Sequence, residues 1–552
     1  MGNIGNENPA RRADRLGTRS SPETVTRIHR DLSSSPHQPN YMDEGDMIRR
    51  AAGKIPHVCI VGAGVAGLRC ADLLLQKGVK VTILEGRNRV GGRLCQSKAL
   101  GHTVDLGPNW IHGTDDNPIL DLAKETKTVT MNWDGRQSVF DSLGSHMPYH
   151  DAAENTEHVW AIIEQAMKLS NEESASIPAE KSLYDFFEEQ VVKMFPSDAR
   201  NDRETNRKRL TILQMAEMWG AFVGSPIQTQ SLKFFWLEEC IDGENLFVAE
   251  TYEKVLKRIA EPVLKGVAVL FEHRVQKIVS NGEDGKPRVI VEVEGKDSMT
   301  FDEVVMTAPL GWLKRNLKAF TPDLPPRFKQ AVGNLGYGHL DKIYVTFFSA
   351  FWNTQTSKAT SPSAAKDPSI PNVTATTVPI HQPPTASPVN PSHYPGFTHW
   401  THPTYAFATN PEAWNQEAVN LAALPDGTAH PTLLFYTFGP TSLHIGKMLA
   451  ENPAQKHNKL LIEFIEPYFS KLPGYDASKE ECKVKGVLAT AWANDELAGY
   501  GSYCNFQTGL QEGDRDVETL RKGIPERGVW VAGEHCAPFV ALGTVTGAYW
   551  SG

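Results

Sequence analysis

Between His57 and Gly86 the chain reads HVCIVGAGVAGLRCADLLLQKGVKVTILEG, with Gly62, Gly64 and Gly67 in the spacing G-x-G-x-x-G and Glu85 18 residues after Gly67. That set is suited to holding a dinucleotide. The first glycine permits a tight turn, the second lets backbone approach a pyrophosphate, and the third lets a helix lie close on a strand. Phosphates would sit at the N-terminus of the helix, where N–H groups are free and the dipole favours negative charge. An acid at this distance is placed to hydrogen-bond a ribose hydroxyl. The spacing does not choose between NAD and FAD.

The elements that must position these groups are also legible. Val58–Val61 is a short apolar run that reads as a buried strand, followed by a glycine turn, a helix and a second strand ending at Glu85. Strand patterns recur at VAVLFEHRVQKIVS, PRVIVEVEG, EVVMTAP, KIYVTFF, TLLFYTF and, near the end, GVWVAGE. Helical spacing of apolar residues marks EHVWAIIEQAMKLS, LYDFFEEQVVKMF and TYEKVLKRIAEPVL. The alternation predicts an α/β protein. Its Rossmann-type nucleotide-binding domain is discontinuous in sequence (54–113, 246–312 and 482–552), and a mixed α+β substrate domain (114–245 and 313–481) is inserted into it. Residues 1–53 are polar and without periodicity, and read as a disordered tail. The stretch 353–395 has 9 prolines in 43 residues and reads as a disordered insertion.

Composition narrows the function classes. The chain has 552 residues, 40% of them hydrophobic, enough for large cores and more than one domain. A net charge of −9 argues against a nucleic-acid binder. The seven cysteines are odd in number and show no C-x-x-C spacing, which points to a reducing compartment, no disulfide framework and no metal site. No apolar run is long enough for a membrane span, and no signal-peptide core opens the chain. The expected location is cytoplasmic. A peroxisomal address is also compatible, because the sequence stops at Gly552 inside what reads as a closing helix and a sorting signal beyond it would be lost.

Several further stretches carry a family resemblance: GRNRVGGRLCQS after Glu85, DLGPNWIHG from Asp105 to Gly113, GENLFV, TAPLGWLKRN, LDKIYVTFFSAFW, ATAWANDELAGYGSY and the final GVWVAGEHCAPFVALGTVTGAYWSG. In this order, over residues 55–552, the chain resembles the flavin-containing amine oxidases, and within them the polyamine oxidase branch. The resemblance implies non-covalent FAD, an amine substrate and oxygen. Hydride would pass from the carbon next to nitrogen to flavin N5, the imine would hydrolyse to aldehyde and amine, and oxygen would reoxidise the flavin to give hydrogen peroxide. A desolvated pocket suits this chemistry because burial disfavours the ammonium form of the substrate.

The resemblance also implies roles. Glu85 would hold the adenosine ribose, Arg87, Gly92 and Arg93 the diphosphate side, and Val275 the adenine through its main chain. Pro108, Asn109, Thr544 and Val545 would border the flavin, and Glu534 its ribityl or phosphate region. Lys342 would hold a water at N5, Tyr503 would wall the pocket, and His112 would lie near the substrate nitrogen. Taken alone, Lys342 could instead be a snorkelling lysine on a strand edge, and His112 a loop residue. Two positions depart from the family pattern: Thr544 stands where many members have a second aromatic, and Thr546 replaces a common histidine. Thr544 is similar to the lysine-specific histone demethylases and implies a wider pocket, although nothing resembling their SWIRM domain precedes residue 56 and the insertion is too Pro-rich for their helical tower. The alternatives to a polyamine or bulky-amine oxidase are a flavin-dependent desaturating or biosynthetic oxidase of a non-amine, and an inactive flavin-binding scaffold. Oligomeric state is not legible.

Overall fold

The computed structural model describes residues 55–196, 202–280, 288–353, 386–388 and 393–552. The predicted tail lies outside these residues, as does most of the predicted insertion. Within that insertion Ala386–Pro388 pairs in parallel with Thr130–Asn132, so at these three positions a strand stands where unstructured chain is expected.

His57–Val61 is buried on both faces because it lies in the middle of a five-stranded sheet. Lys80–Leu84 and then Ala268–Leu270 lie on one side, and Glu303–Met306 and then Val529–Val531 on the other. Every neighbouring pair runs parallel. Strands so distant in sequence share one sheet only if the intervening chain leaves and returns, which makes this domain discontinuous. The arrangement is the doubly wound α/β order. One face packs on helices Val65–Gln76 and Glu253–Gly266, through Ile60, Ile83, Leu68, Ile259 and Val263. The other face, with Cys59, Val61, Leu84 and Met306, meets a smaller sheet containing Val275–Ser280 and Val289–Val293.

The run VAVLFEHRVQKIVS therefore supplies two strands to two different sheets. The break falls at 271–274, where the chain turns beneath Glu85: Glu85 N–H donates to Leu270 O, and His273 N–H donates to Glu85 O.

A second, six-stranded sheet has the order Val484–Ala489, Leu340–Phe347, Thr432–Phe438, Gln416–Asn420, Phe397–Trp400 and Gln137–Phe140. Its Ile343, Val345, Phe435 and Trp400 pack under helices Gly439–Glu451 and Ala454–Phe469. Alternate residues, including Lys342, Tyr344 and Tyr436, point the opposite way. Val484–Ala489 pairs with Leu340–Phe347, so this part of the stretch 482–552 belongs to the substrate-side sheet and not to the nucleotide-binding domain. Helices Tyr149–Glu173, Leu183–Met194 and Asp202–Ala216 form a third layer around Ile162, Phe187 and Ile212. Leu183–Met194 begins with a capping box between Ser182 and Asp185.

Candidate active site

The glycine turn is held from beneath by Thr307, whose Oγ1 donates to Val61 O at 2.8 Å and to Gly62 O at 3.2 Å. Gly62 has φ +108°, a conformation that side chains resist. A Cβ on Gly67 would lie 2.1 Å from Gly62 O, so helix and strand approach as closely as a bare hydrogen permits. A Cβ on Gly64 would meet nothing within 4 Å. Gly64 N-caps the following helix, and neither a capping side chain nor an acid in the first turn satisfies its free N–H groups. Donors left unpaired at a helix start, beside open space, fit a phosphate group.

From this turn one cavity of about 1060 Å³ runs to the face of the six-stranded sheet. Gly62, Gly64, Glu85, Arg87, Gly92, Arg93, Pro108, Asn109, His112, Val275, Lys342, Tyr503, Glu534, Thr544 and Val545 all line it; Gly67 does not, and it packs helix on strand instead. The Glu85 carboxylate, at the tip of its strand, accepts from Ala63 N at 2.7 Å and Arg87 N at 2.8 Å. A carboxylate has further lone pairs, so it can still accept from a hydroxyl. Val275 opens the strand that follows the turn beneath Glu85. Gly92, at φ +58°, lies against Gly64.

Both arginines are tied down. The Arg87 guanidinium donates twice to Asp495, at 2.9 and 3.0 Å, so its charge is matched by a residue that sequence reading does not connect to it. Arg93 donates to Glu534 at 2.9 Å, and the Glu534 carboxylate also accepts from Cys504 N. Burial opposes ionisation of Glu534, but the Arg93 charge, His535 and these hydrogen bonds outweigh it and hold the carboxyl below its ordinary range.

Lys342 is not an edge residue. Its strand is flanked on both sides, by Val484–Ala489 and Thr432–Phe438, and the side chain is 4% exposed. Its ammonium donates to Gly107 O and, at 3.4 Å, to Asp105 O, and lies over the Tyr436 ring. An ammonium has three N–H groups, so one remains for a water or substrate atom. Burial pushes the lysine down from its ordinary range, opposed by the Asp105 carboxyl; burial likewise pushes Asp105 up. Asp105 is itself fixed by Gln96 and by the Tyr252 N–H.

His112 Nδ1 lies 3.2 Å from Asn245 Oδ1. With an amide oxygen as partner, Nδ1 carries the proton and Nε2 keeps a lone pair. Burial pushes this imidazole down, toward the neutral form. The Asn109 carboxamide bridges Tyr436 and Tyr344, and the Asn109 main-chain carbonyl accepts from Val248 N. Tyr503 is braced by a hydrogen bond from its hydroxyl to Phe222 O at 2.7 Å. Thr544 lines the cavity, but its hydroxyl is taken by the main chain. It donates to Ala541 O at 2.7 Å and accepts from Gly547 N at 2.9 Å, capping helix Val545–Ser551. Thr544 therefore shapes the wall without offering a free hydroxyl. Thr546 donates to Asn117, the cap of helix Pro118–Glu125, and ties the closing helix to the domain.

Sequence reading misses four features of this cavity. Trp160, Trp219 and Phe222 form an aromatic wall, with Trp219 and Phe222 stacked at 5.0 Å. Glu238 is pushed up to about 8 by burial, and its Oε1 has no hydrogen-bond partner. Glu417 and His399 complete the set on the sheet. Glu417 carries no sequence signal, since its strand QEAVN is mostly polar and only the structure shows that all five of its residues are buried. Among the described residues no cluster of His, Cys, Asp and Glu is arranged to hold a metal, and no helix is long and apolar enough to cross a membrane.

A doubly wound domain with an open glycine turn, joined by one cavity to a buried lysine on a second sheet, defines a dinucleotide-dependent enzyme site. Comparison with known proteins narrows it. The model of the flavin containing amine oxidoreductases matches residues 65–552, and the chain belongs to that family, whose cofactor is FAD. It is 29% identical over 329 residues to a probable polyamine oxidase 4 of Arabidopsis thaliana, covering 57% of this chain and 63% of that protein. It is 28% identical to a peroxisomal N(1)-acetyl-spermine/spermidine oxidase of Bos taurus, covering 56% and 65%. It is also 31% identical to a lysine-specific histone demethylase 1 homolog of Oryza sativa subsp. japonica, covering 54% and 38%. The matched parts thus span less than two thirds of these relatives. A solved structure of a putrescine oxidase double mutant has the same fold, with TM-score 0.59, 16% identity and coverage of 90% of this chain and 97% of that one.

Proposed function

We infer that this chain oxidises a polyamine or another secondary or bulky amine at the carbon next to nitrogen, giving an imine that hydrolyses to aldehyde and amine. The observation that carries the reading is the single cavity linking the glycine turn to buried Lys342. FAD, when bound there, supplies the two-electron redox chemistry and passes the electrons to oxygen as hydrogen peroxide. The protein's part is to bind, orient and dry the reactants. Asn109, Tyr436 and Tyr344 hold one another rigid beneath the substrate space. Trp110, Trp133 and Phe397 give it apolar walls, in which the neutral amine is favoured over its ammonium form. Lys342 keeps one N–H to position a water.

Release of peroxide is expected with at least one of spermine, spermidine and acetylated polyamines, exceeding that with simple monoamines. Silence across that whole panel would overturn the reading.

FAD is held without a covalent bond. Ser502, which stands where a tethering cysteine would precede Tyr503, donates to Gly338 O and accepts from Leu340 N. The Cys504 thiol is buried and pushed well up by burial and by Glu534, which leaves little thiolate for bond formation. Acid precipitation of the holoprotein is therefore expected to leave the yellow colour in the supernatant. A coloured pellet would show a tether.

A further inference from the structure

Lys342 faces the cavity, so Asp341, one residue earlier on the same strand, faces the other side of the sheet. Asp341 is 1% exposed, and four donors meet the four lone pairs of its carboxylate. Oδ1 accepts from Thr490 Oγ1 and from Trp492 N, each at 2.7 Å. Oδ2 accepts from Ser442 Oγ at 2.7 Å and, more weakly, from Ala493 N at 3.5 Å. Ser442 lies on helix Gly439–Glu451, and the other three donors lie on the segment 490–493 that follows strand Val484–Ala489. Thr490 also brackets the lysine itself: its Oγ1 accepts from Lys342 N and its N–H donates to Lys342 O, both at 2.9 Å. Trp492 carries the connection to the far end of the lysine. Its indole Nε1 donates to Leu106 O at 3.1 Å. Leu106 stands between Asp105 and Gly107, whose carbonyls accept from the Lys342 ammonium.

We propose that Asp341 and Trp492 are positioning residues for the reaction: they hold the Asp105 and Gly107 carbonyls where the Lys342 ammonium, donating to both, keeps its remaining N–H aimed at the reacting atoms. The proposal rests on the amine-oxidising function inferred above, with Lys342 as one of its working groups. A lysine ammonium rides on a flexible stem, so burial alone does not fix its direction. The two carbonyls fix it. They flank Leu106, in a stretch where strand Val104–Asp105 has ended and Trp110–Ile111 has not begun, so the stretch needs support from outside. Leu106 N–H donates to Cys95 O on one side, and Leu106 O takes the indole on the other. Trp492 packs with Cys95 and Leu106, and its main chain is placed by Asp341. One carboxylate thus sets the strand that carries the lysine and, through the indole, the carbonyls that aim it. A misplacement of about 1 Å in such a group lowers a rate by up to about a hundredfold.

The test is a double-mutant cycle in the FAD-loaded protein, read with spermine on whichever half-reaction Lys342→Met slows. Trp492→Phe keeps a ring against Cys95 and Leu106 and removes the N–H. It is expected to slow that step by about tenfold to a hundredfold in the wild type and to add nothing in Lys342→Met, because changes that act through one group are not additive. Asp341→Ala, which strips four donors of their acceptor, is expected to reproduce the loss. Asp341→Asn, whose carbonyl oxygen still accepts from Thr490 and Trp492, is expected to recover most of it. An equal fold-loss from Trp492→Phe in both backgrounds overturns the proposal, since an indole that serves packing alone acts independently of the lysine. No loss in the wild type, or a Lys342→Met that slows neither half-reaction, overturns it too. Hydrogen exchange of the apoprotein gives a readout without amine: the peptide covering 104–110 is expected to exchange faster in Trp492→Phe, with helix Glu253–Gly266 unchanged. If no amine reduces the flavin, this comparison decides alone. Faster exchange confined to 104–110 then supports the clamp though the amine-oxidising function has failed, and wild-type exchange removes the clamp.

Discussion

Lys342→Met is expected to slow turnover by about 100- to 1000-fold while leaving FAD bound and its visible spectrum intact, the cost commonly seen when one positioned polar group is removed from a reaction site. Methionine keeps the unbranched stem that packs along Tyr436 and removes the ammonium that donates to Asp105 O and Gly107 O. The stem's burial is preserved, so the change falls on the remaining N–H and on the two carbonyls it leaves unpaired. Rapid mixing separates the half-reactions. Slower flavin reduction by amine places the water at the oxidation step, and slower reoxidation places it at oxygen. A pH profile adds a second readout. Burial pushes Lys342 down from its ordinary range, so its proton is lost as pH rises through a value below that of an exposed lysine. A step that needs the ammonium gives a wild-type limb falling with rising pH, and the methionine variant lacks that limb. Wild-type rates in both half-reactions would place the chemistry away from this strand.

The lysine shows why some of the site was legible in sequence and some was not. The nucleotide-binding turn is local: strand, glycines, helix and Glu85 lie within His57–Gly86, and their spacing alone carries the geometry. Lys342 could be read only through the family resemblance, because its burial depends on which strands flank it. One of those, Val484–Ala489, was expected in the other domain. The pairs Arg87–Asp495 and Arg93–Glu534 join residues separated by 408 and 441 positions, and no periodicity reports such contacts. Glu417 and His399 were missed for a related reason. Nothing in the sequence sets this acid and histidine apart, because only the register places both on the cavity face, in line with Lys342. For Thr544 the sequence gives the position but not the state of its hydroxyl, which the helix after it claims.

Gly64→Ala and Gly67→Ala are expected to fail in different ways, although both alter the same turn. Gly64 has φ −73° and ψ −179°, open to any residue, and a Cβ there meets nothing within 4 Å. The apoprotein should keep its thermal midpoint or gain slightly, because replacing Gly by Ala at a compatible position stabilises by about 0.4–1 kcal/mol through the unfolded chain. FAD binding should suffer. The new methyl projects into the space beside the unpaired N–H groups at the helix start, and overpacking of about 1–3 kcal/mol weakens affinity by roughly tenfold to a hundredfold. At Gly67 the added carbon would lie 2.1 Å from Gly62 O and 3.1 Å from Thr307 Oγ1, both belonging to the strand side of the turn. Helix and strand must separate before any cofactor arrives, so the apoprotein itself should melt several degrees lower. Circular dichroism melts of both apoproteins, together with FAD titrations followed by flavin fluorescence, distinguish the two. Wild-type FAD affinity in Gly64→Ala would mean that the pyrophosphate does not approach this turn. A midpoint lowered as far in Gly64→Ala as in Gly67→Ala would mean that the second glycine serves packing and not the cofactor.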